Sequence, residues 1–222
     1  MEEQLTIFDL CRPKERLVEE IDKTRAKNFI EKIHYSRLMP QNTIRTFGLF
    51  ENGELIGVVA YGIPPSPSLC IGLAGIKNRY RVVELNRLAM AEGKNGNNNA
   101  SFLVSHSLKM LPNYTFVVSY ADTGWGHVGY IYQACNFLYT GVSAKRLDTF
   151  TNGKHSRSRD KAETRHQTRN SKHRYIYLVG NKKEKKQMLS ELKYPIQPYP
   201  KGESRHYDIH NPQIVIPIKI IE

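Results

Sequence analysis

The stretch at 119–137, SYADTGWGHVGYIYQACNF, contains the residue types of this chain that are best suited to catalysis. Asp122 lies just past an apolar run that predicts a buried strand, and the small residues nearby would let a substrate approach the backbone. A carboxylate at the end of a strand can accept a proton or orient an amine nucleophile. The alternative is structural, because Asp and Thr before a helix usually cap its N-terminus. The local pattern leaves both interpretations open.

Three more side chains could belong to such a site, and each also has a structural interpretation. Tyr132 lies on the apolar stripe of a predicted short helix, so it is either a core tyrosine or a catalytic group. Arg87 lies among apolar residues of a predicted strand and needs a partner, for which a phosphate or Asp122 is a candidate. His34 follows a predicted helix, where a histidine often stabilises the helix dipole.

A metal centre is a further hypothesis. His34, His127 and Asp122 have the residue types of a two-histidine, one-carboxylate site, and tyrosine can ligate ferric iron. Tyr35 directly follows His34 in the sequence. The candidate metal ligands are His34, Tyr35 and His127, with Asp122 as the possible carboxylate. The three cysteines are odd in number and form no CxxC pair, which argues against a disulfide framework and against a thiolate zinc site.

The positive charge of the chain is concentrated in one segment. Of the formal net charge of +12, residues 1–144 contribute +2 (15 basic, 13 acidic), residues 145–174 contribute +7 (10 basic, 3 acidic) and the last 48 residues contribute +3 (8 basic, 5 acidic). A nearly neutral body with one cationic segment is typical of a protein that binds a polyanion. Nucleic acid is the expected partner.

The segment 145–174 contains too few apolar residues to form a core of its own. We expect a mobile basic arm between two strands that becomes ordered on DNA; a merely solvated basic loop is the alternative. Arginine presents a planar fork of donors that suits phosphate oxygens and guanine edges. The predicted DNA-binding residues are Lys154, Arg157, Arg159, Lys161, Arg165, Arg169, Lys172 and Arg174, with His155, His166 and His173 assisting phosphate contact.

A polar loop rich in glycine and asparagine, EGKNGNNN at 92–99, precedes a predicted helix. Apolar residues keep helical spacing from Ala100 to Leu111, so the N-terminal N–H groups of this helix follow the loop directly. Such N–H groups can hold an anion. The predicted cofactor-binding residues are Gly93, Lys94, Gly96, Asn97 and Asn99.

Hydrophobic spacing and turn residues predict the remaining elements. Asn52-Gly53 predicts a β-hairpin of Thr46–Phe50 and Leu55–Tyr61, since both turn residues tolerate positive φ. The prolines of Ile63–Pro67 predict an extended connection. The other predicted elements are a helix at Glu15–Ile33, a short strand near Leu69–Leu73, strands at Val82–Met90, Thr115–Tyr120, Phe137–Val142 and Tyr175–Val179, a short helix at Val128–Cys135, a helix at Asn181–Leu192 and an edge strand in the final IVIPIKII.

The resulting order, helix, hairpin, strand, glycine-rich loop, helix, strand, helix, strand, resembles the GNAT acyltransferase fold. The resemblance implies an α/β architecture with a central mixed, mostly antiparallel sheet flanked by helices. It also implies that the loop cradles the pyrophosphate of an acyl-CoA such as acetyl-CoA. We expect one domain over residues 1–222, with the basic arm at 145–174 and a C-terminal helix and proline-punctuated tail at 181–222.

Four motifs resemble the Mom family of phage DNA-modification proteins, which have a GNAT-like fold. They are His34-Tyr35-Ser36, Glu84-Leu85-Asn86-Arg87-Leu88, Ser101-Phe102-Leu103-Val104-Ser105 and the stretch at 119–137. The resemblance implies conversion of adenine in double-stranded DNA to an N6-carbamoylmethyl-type derivative, which protects phage DNA from restriction. The catalytic residues that it implies are Tyr35, Arg87, Ser101 or nearby Ser105, Asp122 and Tyr132, and its implied cofactors are an acyl-CoA and iron.

Three functional hypotheses are open, and the first of them follows from this resemblance. In the first, the arm binds DNA, the target adenine is flipped out of the duplex, and Asp122 acts as general base or orients the amine. Arg87 and the loop at 93–99 would hold the donor, while Tyr35 and Tyr132 would supply acid/base or ligand groups. The second hypothesis is a GNAT N-acyltransferase acting on a small amine or on RNA. The third is a noncatalytic DNA-binding protein on a GNAT scaffold.

The sequence also predicts where the protein acts. No apolar run is long enough for a membrane helix, and the first ten residues, MEEQLTIFDL, lack the pattern of a secretion signal. We therefore expect a cytoplasmic protein of a bacterial host cell, with no membrane partner.

Overall fold

A computed structural model describes residues 15–34, 36–94, 96, 98–151, 154–155 and 164–202, with the backbone alone at 125, 146–151, 154–155 and 164–169. The strands are β1 (Arg16–Glu20), β2 (Thr43–Glu51), β3 (Glu54–Gly62), β4 (Val82–Met90), β5 (Thr115–Asp122), β6 (Leu138–Val142), β7 (Arg146–Thr151), β8 (Lys154–His155), β9 (Thr164–Arg169) and β10 (Lys172–Val179). The helices are α1 (Lys23–Ile33), α2 (Pro67–Asn78), α3 (Asn99–Lys109), α4 (Tyr130–Ala134) and α5 (Lys182–Glu191).

The strands form a mixed sheet of the predicted type. Seven strands follow the order β1-β2-β3-β4-β5-β10-β6, and a smaller sheet has the order β8-β7-β9. Strands β4 and β5 are parallel, whereas β1–β2, β2–β3, β5–β10 and β10–β6 are antiparallel. The expected α/β class with a mixed, mostly antiparallel sheet and helices is confirmed.

The chain divides into two compact units, and β4 contributes residues to both. One unit contains the described residues up to Gly62 together with Asn86–Met110. The other contains Ile63–Leu85 and the described residues from Leu111 onward.

In the first unit, α1 packs on the β2–β3 hairpin. Ala26 and Ile30 of the helix are fully buried in a cluster with Val58 and Ala60 of β3. The predicted hairpin is confirmed: Asn52-Gly53 forms its turn, with φ of 51° and 81°. Its strands extend beyond the predicted apolar runs at both ends.

The predicted helix at Glu15–Ile33 is wrong at its N-terminal end, where the chain forms β1. This strand pairs with β2 and buries Val18, which also fits helical spacing. The helix starts after Asp22, whose carboxylate accepts a hydrogen bond from the Arg25 N–H at 2.8 Å. Pairing along the edge of the hairpin satisfies backbone groups that a helix would otherwise have satisfied.

In the second unit, the predicted short strand near Leu69–Leu73 is wrong, because these residues lie in α2. The Ser66 hydroxyl caps this helix by accepting a hydrogen bond from the N–H of Leu69. Pro67 occupies the first turn, where its missing N–H leaves no helical hydrogen bond unmade. The helix buries Leu73 in a core with residues of β5 and β10.

The remaining elements agree with the sequence. Strand β4 has the predicted bounds, and the predicted strands at β5, β6 and β10 and helices at α3, α4 and α5 are present within a few residues of their expected ends. The final IVIPIKII lies outside the described residues. Among the described helices, none combines the length and apolar character needed to cross a membrane.

The described part of the basic segment contains strands, where a mobile basic arm or a solvated loop was expected. Strand β7 pairs antiparallel with β9, from Arg146 opposite Arg169 to Thr151 opposite Thr164, and β8 pairs with the other edge of β7. The scarcity of apolar residues predicts that the segment has no hydrophobic core. Hydrogen bonds between strands form without apolar side chains, and threonine favours strands. The described part of the arm therefore includes a small three-stranded sheet, and β10 begins within the predicted segment.

Candidate active-site groups

Asp122 is the last residue of β5, and both of its carboxylate oxygens have partners. Oδ1 accepts a hydrogen bond from the backbone N–H of Gly124 at 2.9 Å. Oδ2 lies 3.3 Å from the Nζ of Lys172, and the Asp122 side chain remains 18% exposed. Asp122 thus caps a short 3-10 turn at Thr123–Trp125 with one oxygen and forms an ion pair with the other. A capping role and a catalytic role for Asp122 are therefore compatible.

Lys172 meets Asp122 because of strand register. In the antiparallel pairing of β5 with β10, Lys172 is directly opposite Asp122. The Lys172 N–H donates to Ser143 Oγ at 3.0 Å, and Thr123 Oγ1 donates to the carbonyl of Ser171 at 2.6 Å. These bonds fix the start of β10 beside the end of β5, so the ion pair is built into the sheet. Lys172 was predicted only as a DNA-binding residue.

His127 follows Asp122 in the same loop. Its backbone N–H donates to the Asp122 carbonyl at 3.2 Å. Burial lowers the pKa of the His127 imidazole, and the negative charge of Asp122 opposes this shift only in part. The imidazole is therefore neutral at pH 7, which is the form that accepts a proton or binds a metal.

Tyr132 lies in a cluster of aromatic rings. Its ring centroid is 5.4 Å from that of Phe137 and 5.4 Å from that of Tyr175. Tyr175 is fully buried, burial raises its pKa to about 12, and its hydroxyl donates to the carbonyl of Val128. The Gln133 side chain donates to the same carbonyl at 3.0 Å. Ring packing explains the position of Tyr132, and its catalytic role stays a prediction.

In the first unit, Arg87 is held by backbone carbonyls. Its Nε donates to Leu38 at 2.8 Å, and one Nη donates to its neighbour Asn86 at 2.6 Å. Two charge-assisted hydrogen bonds of this kind fix the plane of the guanidinium. The arginine is thus oriented by the loop after α1 and by its own strand.

His34 ends α1 beside Arg87. Its Nδ1 accepts a hydrogen bond from the Ser36 N–H at 3.1 Å, which leaves the proton of the neutral ring on Nε2. Burial, with a contribution from the charge of Arg87, lowers the pKa of His34 to about 4. The imidazole is neutral at pH 7, so it does not serve as a charged cap on the helix dipole. Tyr35 lies outside the described residues.

Ser101 and Ser105, the two candidates for the serine implied by the resemblance, have similar surroundings. Ser101 Oγ donates to the carbonyl of Asn98 at 2.9 Å, and Ser105 Oγ donates to the carbonyl of Phe102 at 3.1 Å. Both hydroxyls thus bond to a backbone carbonyl three residues earlier, that of the N-cap residue for Ser101 and one within α3 for Ser105. The geometry does not distinguish between them.

The loop before α3 is held by its own polar side chains. Lys94 forms an ion pair with Glu51 at 3.0 Å, and the Glu51 side chain is only 4% exposed. Asn99 is buried; it accepts a hydrogen bond from Arg16 at 3.2 Å and donates to the Lys94 carbonyl at 3.1 Å. Open space surrounds the Cα atoms of Gly93 and Gly96 on the side where a Cβ would project. Asn97 lies outside the described residues.

The candidate metal ligands are only partly described. His34 belongs to the first unit and His127 to the second, and Tyr35 is not described. Within the described part of the chain, no three His, Cys, Asp or Glu side chains come together in a group that could hold a metal ion. Among the described residues, the side chains therefore do not fit a metal centre of this kind.

The predicted DNA-binding residues have different placements. Arg157, Arg159 and Lys161 lie outside the described residues, while Lys154, Arg165 and Arg169 lie on β8 and β9. Arg174 is committed to the fold: its Nε donates to Thr140 Oγ1 at 2.9 Å, and its guanidinium carbon lies 3.5 Å from the ring centroid of Tyr194. DNA contact by these residues stays a prediction, and Lys172 and Arg174 already have intramolecular partners.

Comparison with known proteins gives one family and one curated relative. The model of the Mom protein family matches residues 15–201. A protein named methylcarbamoylase mom, from Escherichia phage Mu, is 27% identical over 209 residues, which cover 85% of this chain and 85% of the relative.

Solved structures with a similar arrangement are acetyltransferases. The ribosomal-protein-S18-alanine N-acetyltransferase from Escherichia coli is 9% identical and gives a TM-score of 0.48, covering 75% of this chain and 96% of that one. An IAA acetyltransferase from Bacillus cereus is 14% identical, with a TM-score of 0.47 and coverage of 73% and 98%. Similarity this distant carries no argument about the activity of this chain.

Proposed function

Because the chain belongs to the Mom protein family, we propose that it modifies the exocyclic amine of adenine in double-stranded DNA, adding a carbamoylmethyl-type group. The observation that carries this proposal is the family match over residues 15–201, together with a relative named methylcarbamoylase that is similar along 85% of both chains. A modified adenine would protect phage DNA from restriction, in the cytoplasm of the host cell.

We assign Asp122 to the reacting amine, because its carboxylate lies at the end of β5 and is held by two partners. When N6 of adenine forms a bond to the methylene carbon of the transferred group, the bond between that carbon and the donor's leaving group breaks, and N6 must lose one proton. A carboxylate in hydrogen-bond reach of the amine can orient its lone pair and accept that proton. The Gly124 N–H and the Lys172 ammonium hold the Asp122 carboxylate in one orientation, so little reorganisation is needed when the amine arrives.

Binding to DNA is assigned to the basic arm. The net charge of +7 over residues 145–174 provides a sequence-independent attraction to phosphates. The adenine amine is engaged in base pairing within a duplex, so the base must leave the stack before it can react. Flipping makes the reaction depend on duplex binding, which distinguishes it from acylation of a small amine.

The loop before α3 is the proposed position of an acyl-CoA donor. An acyl-CoA would supply a two-carbon unit as a thioester; because a thioester transfers its carbonyl carbon, a carbamoylmethyl group bonded to N6 through its methylene carbon would also require an oxidant and a donor of the amide nitrogen. Open space at Gly93 and Gly96, two described residues of the loop, would let a pyrophosphate approach the backbone closely. The side chain of Lys94 is paired with Glu51 and that of Asn99 holds the loop, so these two residues would shape the cradle instead of contacting phosphate.

Mass analysis of nucleosides tests the proposal. DNA from bacterial cells that express the full chain is digested to nucleosides, and cells without the gene are the control. We expect a new deoxyadenosine species whose added mass equals one carbamoylmethyl group. Unmodified deoxyadenosine from cells with soluble protein, together with a new acyl mass on RNA or on a small amine, would instead support the acyltransferase hypothesis.

A further inference from the structure

The turn at 76–81, Ile76-Lys77-Asn78-Arg79-Tyr80-Arg81, projects from the second unit at the end of α2. Helical geometry breaks at Gly75, whose φ of 78° and ψ of 168° redirect the chain. Such a φ is easily accessible only to glycine. After this break the side chains of Ile76 and Tyr80 are 70% and 84% exposed. We call this segment the 76–81 turn.

The base of the turn is rigid. Asn78 is buried and donates from Nδ2 to the carbonyl of Ala74 at 3.3 Å and to Glu191 Oε2 at 2.8 Å. The same carboxylate oxygen accepts a hydrogen bond from the hydroxyl of Tyr114 at 2.7 Å. These bonds tie the turn to α5 and to the start of β5. Arg79, Tyr80 and Arg81 therefore project from a fixed support.

Each of the two arginines of the turn packs against a tyrosine ring: Arg79 against Tyr80 and Arg81 against Tyr114. The Arg79 guanidinium lies 4.5 Å from the Tyr80 ring centroid and donates to the Tyr80 hydroxyl oxygen at 2.5 Å. Because the hydroxyl accepts this hydrogen bond through a lone pair, it keeps its own proton, which it can donate to an anion. Arg81 lies over the ring of Tyr114, at 5.1 Å, which leaves its N–H donors at the surface.

The two arginines carry uncompensated positive charge. Among the described residues, neither Arg79 nor Arg81 forms an ion pair with a carboxylate. The nearby carboxylate of Glu191 is occupied by neutral donors: the Tyr114 hydrogen bond leads the contacts that lower its pKa, and the charge of Lys77 contributes least. The turn thus presents two guanidinium groups and one hydroxyl donor without an acidic neighbour of their own.

We propose that the 76–81 turn is a second contact surface for the sugar–phosphate backbone of duplex DNA, separate in sequence from the basic arm. Arg79 and Arg81 would each bind a phosphate, and the Tyr80 hydroxyl would donate to a phosphate oxygen. Arginine and tyrosine are common donors to DNA phosphates, and such contacts fix the position of a protein on the duplex without reading sequence. This inference rests on the proposed function, because it takes duplex DNA as the substrate.

The salt dependence of DNA binding tests this surface. Each phosphate contact contributes about −0.9 to the slope of log K against log salt concentration. In the full-length chain, the double substitution Arg79→Gln/Arg81→Gln should reduce the magnitude of the slope by about 1.8, which at about 0.1 M salt corresponds to a loss of affinity of roughly sixty-fold. Tyr80→Phe, which removes the hydroxyl donor and the acceptor of the Arg79 hydrogen bond but no charge, should weaken binding and leave the slope unchanged.

A matched control removes two charges elsewhere. Lys23→Gln/Lys27→Gln neutralises two exposed lysines of α1 and should leave the slope within experimental error of the wild-type value. Thermal unfolding of each variant would verify that it is folded. An unchanged slope for the arginine variant, or an equal change for the lysine variant, would overturn the inference while DNA binding by the wild-type chain continued to support the proposed function. Binding of RNA or an acidic protein in place of duplex DNA would overturn both.

Discussion

At the scale of single residues, the structure separates polar side chains that have partners from those that do not. Asn78 and Asn86 are a matched pair. The amide of Asn78 donates to Ala74 and Glu191, whereas neither Nδ2 nor Oδ1 of Asn86 has a hydrogen-bond partner in the described part of the chain, although both atoms are buried. A buried amide without partners lowers stability, because it has lost its hydrogen bonds to water.

Replacing these asparagines by leucine should therefore have opposite effects. Asn86→Leu removes a buried amide without partners and should raise the free energy of unfolding by about 1 kcal/mol or more, whereas Asn78→Leu leaves Glu191 without a donor and should lower it by about 1–3 kcal/mol. Urea unfolding measures both values. A decrease for Asn86→Leu as large as that for Asn78→Leu would contradict the assignment.

The lowered pKa of His34 predicts a contribution to the pH dependence of stability. The ordinary pKa near 6.5 applies to the unfolded chain and the value of about 4 to the folded chain. Between these values the unfolded state binds more protons, so His34 should make the protein less stable as the pH falls from about 6.5 towards 4.

Unfolding by urea at pH 7.5 and pH 5 would measure this contribution. His34→Gln should lose less stability than the wild-type chain on acidification. Part of the loss should persist, because burial also lowers the pKa of His127 and of His173. An equal loss in both proteins would show that His34 does not titrate as described.

At the scale of elements, turns were predictable where a short sequence determines the backbone. The hairpin at Asn52-Gly53 follows from two residues that tolerate positive φ. The assignments at β1 and α2 failed because short apolar runs fit both periodicities, and partners distant in sequence decide between them. The strands of the basic arm were not predicted for a related reason, because the pairing of polar strands leaves no apolar pattern in the sequence.

The candidate site was predictable to a similar extent. The position of Asp122 at a strand end follows from the local pattern, and the structure confirms it. Its ion pair with Lys172 depends on the register of β5 with β10, which no local pattern specifies. The ion pair of Lys94 with Glu51 likewise joins a loop to a strand that lies far from it in sequence, so no local pattern predicts it.

Gly129, at the start of α4, shows how an element depends on one residue without a side chain. Its φ is 77°, and a Cβ at this position would collide with the ring of Tyr175. Gly93 has a similar φ of 70° but open space around the corresponding position. The two glycines therefore separate backbone strain from steric overlap.

Alanine substitution should reveal the difference. Gly93→Ala should cost about 1–2 kcal/mol through backbone strain alone. Gly129→Ala should cost a further 1–3 kcal/mol or so, because the aromatic cluster must shift. Thermal and urea unfolding of the two variants would provide the comparison. Equal losses would show that Tyr175 does not restrict this position.

At the scale of the whole molecule, the net charge of +12 is distributed unevenly, and residues 146–169 of the basic arm carry +4 of it. Residues 146–169 contain seven basic and three acidic side chains. The arm can be removed without disturbing the ion pair of Asp122, provided that β10 from Lys172 is retained. A deletion reaching Arg174 would instead remove the strand partner of β5.

Replacing residues 146–169 by a short glycine–serine linker should weaken duplex binding and flatten its salt dependence. If the arm contacts about six phosphates, the wild-type slope of log K against log salt should be roughly −5, and the linker variant should lose most of it. Fluorescence anisotropy with a labelled duplex measures the slope. A steep slope that survives removal of the arm would place the main contact elsewhere.

The central claim is that Asp122 promotes modification of adenine in DNA. Its most direct test is nucleoside mass analysis of DNA from cells expressing Asp122→Asn, with Asp22→Asn as the control, because asparagine caps a helix as well as aspartate does. Asp122→Asn should lower the yield of modified deoxyadenosine by about 10²–10⁴-fold while duplex affinity is retained, and Asp22→Asn should modify DNA as the wild type does. Equal modification by the Asp122→Asn and wild-type proteins would contradict the account.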